Sequence, residues 1–287
     1  MNRTADVVIV GAGVIGSATA FELAKRGYKT LNIDKLPASG YGSTSNSCAI
    51  VRAHYSTWDG VAMAYEGFFY WDDWNKYLEV EDERGMAKYM KTGSIMFMLK
   101  GADHSKKSLN LFKEIGVEHE IWDLETLKKK MPIYSHDSYN GTSRPDEDDS
   151  FFDKSGDQIE GAVWTPGSGY VSDPQLATHN LQVATEAKGG EFLFDAEITE
   201  IRQSNGQIQG VTLKSGEQID CKVLVNVAGP HSFIINQMAG VEDDMNIKTK
   251  ALRHEVHHVS SPPGFDFEKN GVHTSDGDNA IYFRPET

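Results

Sequence analysis

Three glycines and one aspartate near the start of the chain have the spacing of a nucleotide-binding turn. The apolar run Val7–Val10 leads directly into Gly11–Gly16, which has the pattern G-x-G-x-x-G, and Asp34 ends a second apolar run. The first glycine of such a pattern permits a tight turn, the second lets the backbone approach a diphosphate, and the third lets a helix lie close on its strand. The diphosphate would sit at the helix N-terminus, where free N–H groups favour negative charge.

The aspartate limits which dinucleotide would fit. Asp34 would accept hydrogen bonds from both ribose hydroxyls of an adenosine and would repel a 2′-phosphate, so FAD or NAD is favoured over NADP. The residues after Asp34, from Pro37 to Ser47, are rich in turn formers and predict a loop rather than a second strand-helix unit. A nicotinamide dehydrogenase would usually continue with that second unit, so this loop favours a flavin.

Composition excludes several classes of protein. The chain has 287 residues and a formal charge of −14, from 42 acidic and 28 basic residues, which argues against nucleic acid or an anionic membrane as partner. Its two cysteines, Cys48 and Cys221, cannot form a disulfide framework, as expected in a reducing compartment. No run approaches the roughly 20 apolar residues of a membrane span, and the N-terminus leaves no room for a signal peptide. We therefore expect a cytoplasmic protein.

Periodicity and turn residues predict alternating helices and strands. Asp173 and Pro174 form a helix start, Asn205-Gly206 and Ser215-Gly216 form hairpin turns, and 135–156 is predicted to be a surface loop. Helices are predicted at 14–26, 61–78, 103–116, 123–131 and 174–188, and strands at 5–10, 29–34, 87–99, 192–195, 197–202, 207–213, 217–220 and 222–230, while regular structure is expected to resume at 161–166.

Two of these elements carry further expectations. The aromatic-rich helix at 61–78 is predicted to be buried, with its rings in the core. The run Val223–Gly229 is predicted to be a buried parallel strand that brings a glycine turn to the carboxyl edge of the sheet, where open α/β sheets bind ligands.

The order of these pieces resembles the flavin-dependent amine and amino-acid oxidase family, which includes sarcosine oxidase, glycine oxidase, D-amino-acid oxidase and dimethylglycine dehydrogenase. The resemblance depends on four places: Gly11–Gly16 with Asp34, Gly42–Arg52, Gly169–Pro174 and Val223–Gly229. The second is the most specific, because a Gly-Ser-Thr loop followed by a hydrophobic pair and an arginine is similar to the sarcosine oxidase branch.

The resemblance implies an α/β fold with two interleaved domains. A Rossmann-like FAD-binding domain of the glutathione-reductase type would comprise residues 1–84 and 158–240. An α+β substrate domain built on an antiparallel sheet would comprise 85–157 and 241–287. The strand at 280–287 resembles the one that lines the substrate pocket, and family members continue beyond it, so we expect this chain to be a fragment.

The resemblance also implies roles for individual residues. Arg52 would grip the substrate carboxylate through a planar two-point contact; its alternative role is an ion pair with an acidic residue. Of the adjacent His54 and Tyr55, only one is expected to face the pocket, and we favour Tyr55, with Tyr282 as a further catalytic residue. The implied cofactor-binding residues are Gly11, Ala12, Gly13, Val14, Ile15, Gly16, Asp34, Lys35, Gly42, Ser43, Thr44, Ser47, Ile198, Ala228 and Gly229.

Two positions depart from the sarcosine oxidase branch. That branch often has a histidine at the position of Ser45 and a second basic residue at the position of Ala49, and this chain has neither. We therefore do not expect covalent flavin attachment through that histidine, and electrostatic support near the flavin N5 must come from other residues.

The implied activity is an FAD-dependent oxidation of the C–N bond of a small amino acid or N-methyl amino acid. Hydride transfer to flavin N5 would give an imine that water hydrolyses, and oxygen or an electron-transfer protein would accept the electrons. Two alternatives remain open: an NAD-dependent dehydrogenase, or an FAD-binding subunit without catalysis of its own.

One further motif points to different chemistry. The segment His254–His258 satisfies H-E-x-x-H, which binds zinc when a helix brings both histidines to one face. The residues around it alternate and run into Pro262-Pro263, which predicts a strand, so we expect no metal. Cys48 is expected to be a small packing residue.

Overall fold

The computed structural model describes residues 3–139, 144 and 146–286. The helices are α1 (Val14–Lys25), α2 (Trp58–Asp72), α3 (Trp74–Leu78), α4 (His104–Ile115), α5 (Leu124–Lys130), α6 (Pro174–Ala187), α7 (Ser232–Met238) and α8 (Phe267–Asn270). The strands are β1 (Arg3–Thr4), β2 (Val7–Val10), β3 (Thr30–Ile33), β4 (Ile50–Val51), β5 (Tyr89–Met90), β6 (Ser94–Met98), β7 (Glu120–Asp123), β8 (Asp137–Tyr139), β9 (Lys154–Gln158), β10 (Gly161–Thr165), β11 (Gly169–Val171), β12 (Glu191–Leu193), β13 (Ile198–Ser204), β14 (Gln207–Leu213), β15 (Gln218–Asp220), β16 (Val223–Asn226), β17 (His273–Asp276) and β18 (Ile281–Phe283).

The chain forms two compact units, each built from three segments. The first unit comprises Met1–Ala49, Trp74–Lys88 and Asp173–His257, and the second comprises Ile50–Asp73, Tyr89–Ser172 and His258–Thr287. These bounds differ from the predicted domains, which place 50–73 and 158–172 in the FAD-binding domain and 85–88 and 241–257 in the substrate domain. The difference at 50–73 and 158–172 has a physical cause: β11 pairs with both β4 and β5, which ties these segments to the second unit through long-range hydrogen bonds.

The first unit contains a parallel sheet in the order β12-β3-β2-β16. Helix α1 connects β2 to β3, whose register pairs Val7 with Thr30 and Val10 with Ile33. Every residue of β2 and β3 is buried, because parallel strands in the centre of a sheet are covered on both faces. The predicted strand-helix-strand unit is therefore present.

The last strand of this sheet is less buried than predicted. β16 runs parallel to β2, pairing Val223 with Val7, as the apolar run indicated. However, β16 lies at the edge of the sheet, and Val223 is 49% exposed. The prediction of a buried strand is wrong, because hydrophobic content does not tell a central strand from an edge strand.

A second sheet in the first unit has the order β1-β15-β14-β13. The two hairpins follow the predicted turns. At the first turn Asn205 and Gly206 have φ values of 51° and 74°, the left-handed conformation that a two-residue type I′ turn needs at both positions. The sheet packs an apolar core that includes Ile201, Val211 and Ile219.

The second unit is built on a five-stranded sheet in the order β18-β17-β6-β10-β7 and a three-stranded sheet in the order β4-β11-β5. All described pairings in these sheets are antiparallel except that of β17 with β6. Strands β8 and β9 pair with each other, and β8 and most of β9 fall within 135–156, so the prediction of a surface loop there is wrong in part. The acidic residues 146–149 lie between the two strands.

The aromatic helix differs from its prediction in length and burial. It begins at Trp58, where Thr57 caps it by accepting from the Gly60 N–H, and it breaks after Asp72 before the short α3. Phe68 is buried, but Trp58 and Phe69 are exposed. The prediction of a wholly buried helix is wrong, since the helix packs one side only.

Two further expectations are corrected. The predicted strand 87–99 is interrupted between β5 and β6, where Gly93 has a φ of 74° and packs against the Trp164 ring. The segment Met245–Ser261, which contains His254–His258, is neither helix nor strand and is exposed. Alternation alone therefore did not specify a strand there.

No helix in the described ranges is long and apolar enough to cross a membrane.

The predicted start of α6 gives a stability test. Asp173 accepts hydrogen bonds from the backbone N–H groups of Gln175 and Leu176, both at 2.9 Å. Asp173→Ala should lower the free energy of unfolding by about 1 kcal/mol, because two helix donors lose their acceptor. Asp173→Asn, which retains an acceptor, should stay within a few tenths of a kcal/mol of the wild type. Chemical denaturation measures both, and equal losses would rule out the capping role.

Candidate functional site

The glycine turn between β2 and α1 leaves no room for side chains. Gly11 has a φ of 115°, and a Cβ there would lie 2.5 Å from the carbonyl oxygen of Val227. A Cβ on Gly16 would lie 2.1 Å from the carbonyl oxygen of Gly11. The helix and the turn therefore approach at backbone contact distance, which only glycine allows.

The first turn of α1 presents backbone donors. Gly13 precedes the helix and provides no side-chain cap, while the Val14 N–H donates to Thr44 Oγ1 at 3.1 Å. The first N–H groups of a helix have no partner within the helix and attract anions. A Cβ on Gly13 would fill the space beside Thr44 Oγ1, at 3.2 Å. This open, donor-lined helix start fits a diphosphate.

Asp34 lies beside the same turn. Its Oδ2 accepts from the Ala12 N–H at 2.8 Å, and its Oδ1 accepts from the Leu36 N–H at 2.9 Å. Each carboxylate oxygen has a further lone pair, so the side chain is oriented by the backbone and keeps capacity for ribose hydroxyls. That role remains a prediction.

One residue of this site was missed in the sequence. Asn32 is fully buried in β3, and its Nδ2 donates to the carbonyl oxygens of Gly11 (3.2 Å) and Gly16 (3.1 Å). It thus joins the strand to both ends of the glycine turn. The available signal was a polar residue within the otherwise apolar strand Thr30–Ile33.

The remaining predicted cofactor residues lie in the same unit. The loop after β3 is joined to the turn, because the Gly40 N–H donates to the Ala12 carbonyl at 2.8 Å. The Ala196 N–H donates to the Asp34 carbonyl at 3.0 Å, which places the start of β13 near Asp34. Lys35, Ser43, Ser47 and Gly229 are exposed, Gly42 and Ala228 are partly buried, and Ile198 is buried.

In the second unit, Arg52 follows β4. Its Nη1 donates to the His54 carbonyl oxygen at 2.6 Å, and its Cζ lies 5.1 Å from the centroid of the Tyr55 ring. In the part of the chain that the structure describes, no acidic side chain forms an ion pair with Arg52. The alternative structural role, an ion pair with an acid, is therefore not seen. His54 is buried and Tyr55 is exposed, as neighbours on opposite sides of an extended segment should be.

Two buried histidines lie near Arg52 in a hydroxyl-rich cluster. His54 Nε2 lies 3.2 Å from Thr165 Oγ1, and its ring stacks on Phe112. His273 Nδ1 lies 2.6 Å from Ser94 Oγ. The opposite ring nitrogens, His54 Nδ1 and His273 Nε2, are buried and have no hydrogen-bond partner among the described residues. Sequence reasoning did not select His273, whose only signal was a histidine next to an apolar residue.

Both histidines are held neutral. Burial, followed by the charge of Arg52, lowers the pKa of His54 to about 3. The same two causes lower the pKa of His273 to about 3. The Tyr282 ring, half exposed in β18, has its centroid 6.5 Å from that of His273. The predicted residues Arg52, Tyr55 and Tyr282 therefore belong to the same unit as the two neutral imidazoles.

In the described ranges, no group of three or more His, Cys, Asp or Glu side chains could hold a metal ion. In the H-E-x-x-H segment, His257 Nε2 lies 3.5 Å from Glu255 Oε2. Cys221 is buried and Cys48 is partly buried.

A parallel strand-helix-strand unit with a side-chain-free glycine turn and an acid at the end of the second strand defines a dinucleotide-binding protein. The family model described as FAD dependent oxidoreductase matches residues 6–287. The chain belongs to that family. Of the two dinucleotides that the sequence left open, FAD is thus the cofactor of the family.

Individual relatives are more distant. The chain is 25% identical to the mitochondrial pyruvate dehydrogenase phosphatase regulatory subunit of Mus musculus over 98% of this chain and 29% of that protein. It is 29% identical to monomeric sarcosine oxidase of Bacillus sp. (strain B-0618) over 83% of this chain and 55% of the relative. The chain therefore spans about half or less of the length of these relatives.

Solved structures confirm the predicted fold. The L-proline dehydrogenase from P. horikoshii superposes with a TM-score of 0.68 at 22% identity, covering 84% of this chain and 57% of that one. The α/β architecture with a Rossmann-like domain is therefore confirmed. The predicted resemblance to the flavin-dependent oxidase family is confirmed by the family model and by the sarcosine oxidase relative.

The neutral histidines predict a pH dependence of stability. Because their pKa in the fold, about 3, lies below the ordinary 6.5, the unfolded chain takes up protons first as the pH falls. Their contribution is full above pH 6.5 and is lost as the pH falls toward 3. His273→Asn should lower the slope of unfolding free energy against pH, between pH 4 and 6, by about 1.4 kcal/mol per pH unit.

The matched control for this measurement is His257→Asn, since His257 is exposed. This variant should keep the wild-type slope. Denaturation at a series of pH values gives both slopes, and equal slopes for all three proteins would show that His273 titrates normally in the fold.

The helix start predicts how flavin binding responds to a side chain. Gly13→Val should lower the flavin retained by the purified protein at least about tenfold, because the new side chain occupies the space over the α1 donors. The control is Arg26→Val at the other end of α1, where the side chain is exposed, and it should retain flavin. Absorbance near 450 nm and circular dichroism measure flavin and folding; a folded, fully yellow Gly13→Val protein would contradict this site.

Proposed function

We propose that this chain carries the flavin site and part of the substrate site of an oxidoreductase that oxidises the C–N bond of a small amino acid or N-methyl amino acid. The observation that carries the proposal is Arg52, a guanidinium without an acidic partner among the described residues, located beside Tyr55 and two neutral histidines. The first unit would bind the cofactor and the second would bind the substrate.

Arg52 is suited to orient a carboxylate. A guanidinium presents parallel N–H donors that hold both oxygens of a carboxylate and fix its plane. Its bond to the His54 carbonyl and its position over the Tyr55 ring limit its freedom, so less entropy is lost when a ligand binds. Orientation matters because the C–H bond next to the nitrogen must point at the electron acceptor.

The histidines favour this use of Arg52. Since both imidazoles are neutral, they add no positive charge that would compete for the carboxylate, and burial lowers the dielectric around the cluster. Tyr282 would line the same region, while Tyr55 would support the guanidinium. These roles for the two tyrosines are part of the proposal.

In the first unit, the α1 donors and Gly13 would hold the diphosphate, and Asp34 would hold the ribose of the adenosine. Residues from the loop containing Thr44 and from the start of β13 would line the same groove. Bound FAD would supply the chemistry, accepting a hydride from the carbon next to nitrogen so that the product imine hydrolyses. Oxygen or an electron-transfer protein would then accept the electrons.

A second candidate is a flavin-binding subunit without catalysis of its own. It is favoured by the name of the mouse relative, a regulatory subunit, which matches nearly the whole of this chain. The cytoplasmic location remains a prediction, since that relative is named as mitochondrial.

The test is anaerobic flavin reduction by a panel of N-methyl amino acids, proline analogues and D-amino acids. At least one member should bleach the flavin. Arg52→Gln should raise the KM for that substrate about tenfold or more, with flavin content unchanged, because a charge-assisted pair is lost. The exposed Arg26→Gln is the control. No bleaching by any amine would favour the non-catalytic subunit, and an unchanged KM would remove Arg52 from the site.

A further inference from the structure

A second arginine of the second unit is held on an aromatic ring. The Cζ atom of Arg284, which follows β18, lies 4.1 Å from the centroid of the Tyr170 ring. The Arg284 side chain is only 9% exposed and Tyr170 is fully buried. A guanidinium at this distance from an aromatic face is attracted by the ring. Because the ring is fixed in β11, the position of Arg284 is fixed as well.

Strand register relates this arginine to Arg52. Tyr170 of β11 pairs with Ile50 of β4, and paired residues point to the same face of a sheet. Arg52 is two residues after Ile50, so the alternation of an extended chain places it on that face too. Arg284, lying on the Tyr170 ring, therefore belongs to the same face of the β4-β11 pair as Arg52.

The ion pair of Arg284 does not exclude a ligand. Its Nη1 donates to the Pro285 carbonyl oxygen at 2.6 Å, and its Nη2 lies 2.9 Å from Glu286 Oε2, a carboxylate that is 51% exposed. An ion pair with an exposed carboxylate contributes little, because water solvates the acid in its absence. A ligand carboxylate held by several donors at a mostly buried guanidinium would form a stronger interaction.

We propose that Arg284 is a second anion-binding group of the substrate site, and that the substrate carries two carboxylates. Its chemical class would be an amino-dicarboxylic acid or an N-alkyl derivative of one. Arg52 would bind the carboxylate next to the amine, and Arg284 the distal carboxylate. The oxidation of such a substrate rests on the proposed function, but the binding preference does not.

The test measures binding of inert acids to the flavin-loaded protein by calorimetry. Glutarate, with two carboxylates, should bind at least about tenfold more tightly than butyrate, which has one. Arg284→Gln should remove that preference without changing butyrate binding, and Arg284→Lys, which keeps the charge, should retain part of it. The exposed Arg26→Gln is the control and should keep the full preference.

The outcomes separate the two proposals. Equal binding of the two acids to the wild type, binding of neither, or an unchanged preference in Arg284→Gln would overturn the role of Arg284. If Arg284→Gln does not fold, Arg284→Lys is the deciding variant. Lysine keeps the charge but lacks the fork of donors of arginine. A glutarate preference in Arg284→Lys equal to that of the wild type would therefore count against the role of Arg284. If only amines with a single carboxylate bleach the flavin, the proposal of a dicarboxylate substrate is overturned and the proposed function stays intact. A glutarate preference without bleaching by any amine would support the role of Arg284 and overturn the proposed function.

Discussion

The close backbone approach at Gly11 is the constraint on which the first unit depends. The carbonyl oxygen of Val227 lies 2.5 Å from the position a Cβ of residue 11 would take, and the carbonyl oxygen of Gly11 lies 2.1 Å from the position a Cβ of residue 16 would take. The glycine turn and the segment after β16, which are distant in the sequence, thus meet without side chains between them. This is why α1 can start directly over the end of β2, and why its N–H groups face the carboxyl edge of the parallel sheet, where α/β folds bind ligands.

Hydrogen bonds from β3, from the end of β3 and from the following loop hold the glycine turn in place. Asn32 is expensive to bury, but it donates to the carbonyls at both ends of the turn and so satisfies acceptors that the glycines leave open. Asp34 holds the Ala12 N–H, and Thr44 holds the Val14 N–H from the neighbouring loop. Apolar burial drives the sheet to form, while these bonds determine where its edge groups point.

Local signals predicted much of this structure. The glycine spacing, Asp173 before Pro174, and Asn205 before Gly206 each act through the conformation of a few adjacent residues, so sequence is sufficient. The predictions that were wrong concern properties that depend on residues far along the chain. The exposure of Val223 is decided by the absence of a neighbour beyond β16 among the described strands, and the place of β4 by its pairing with β11. His273 could not be selected, because its pKa is set by burial and by Arg52, more than 200 residues away.

Anion binding in the second unit has to be explained by short-range groups, because the net charge of the whole chain is strongly negative. A charge of −14 repels an anion at long range, but salt screens that repulsion beyond about 8 Å at physiological ionic strength. Arg52 forms no ion pair with an acid among the described residues, and its neighbours His54 and His273 are neutral. Recognition of a carboxylate is therefore decided by the few groups that touch it. The acidity of the whole chain therefore has little effect on a carboxylate once it reaches the partly buried Arg52.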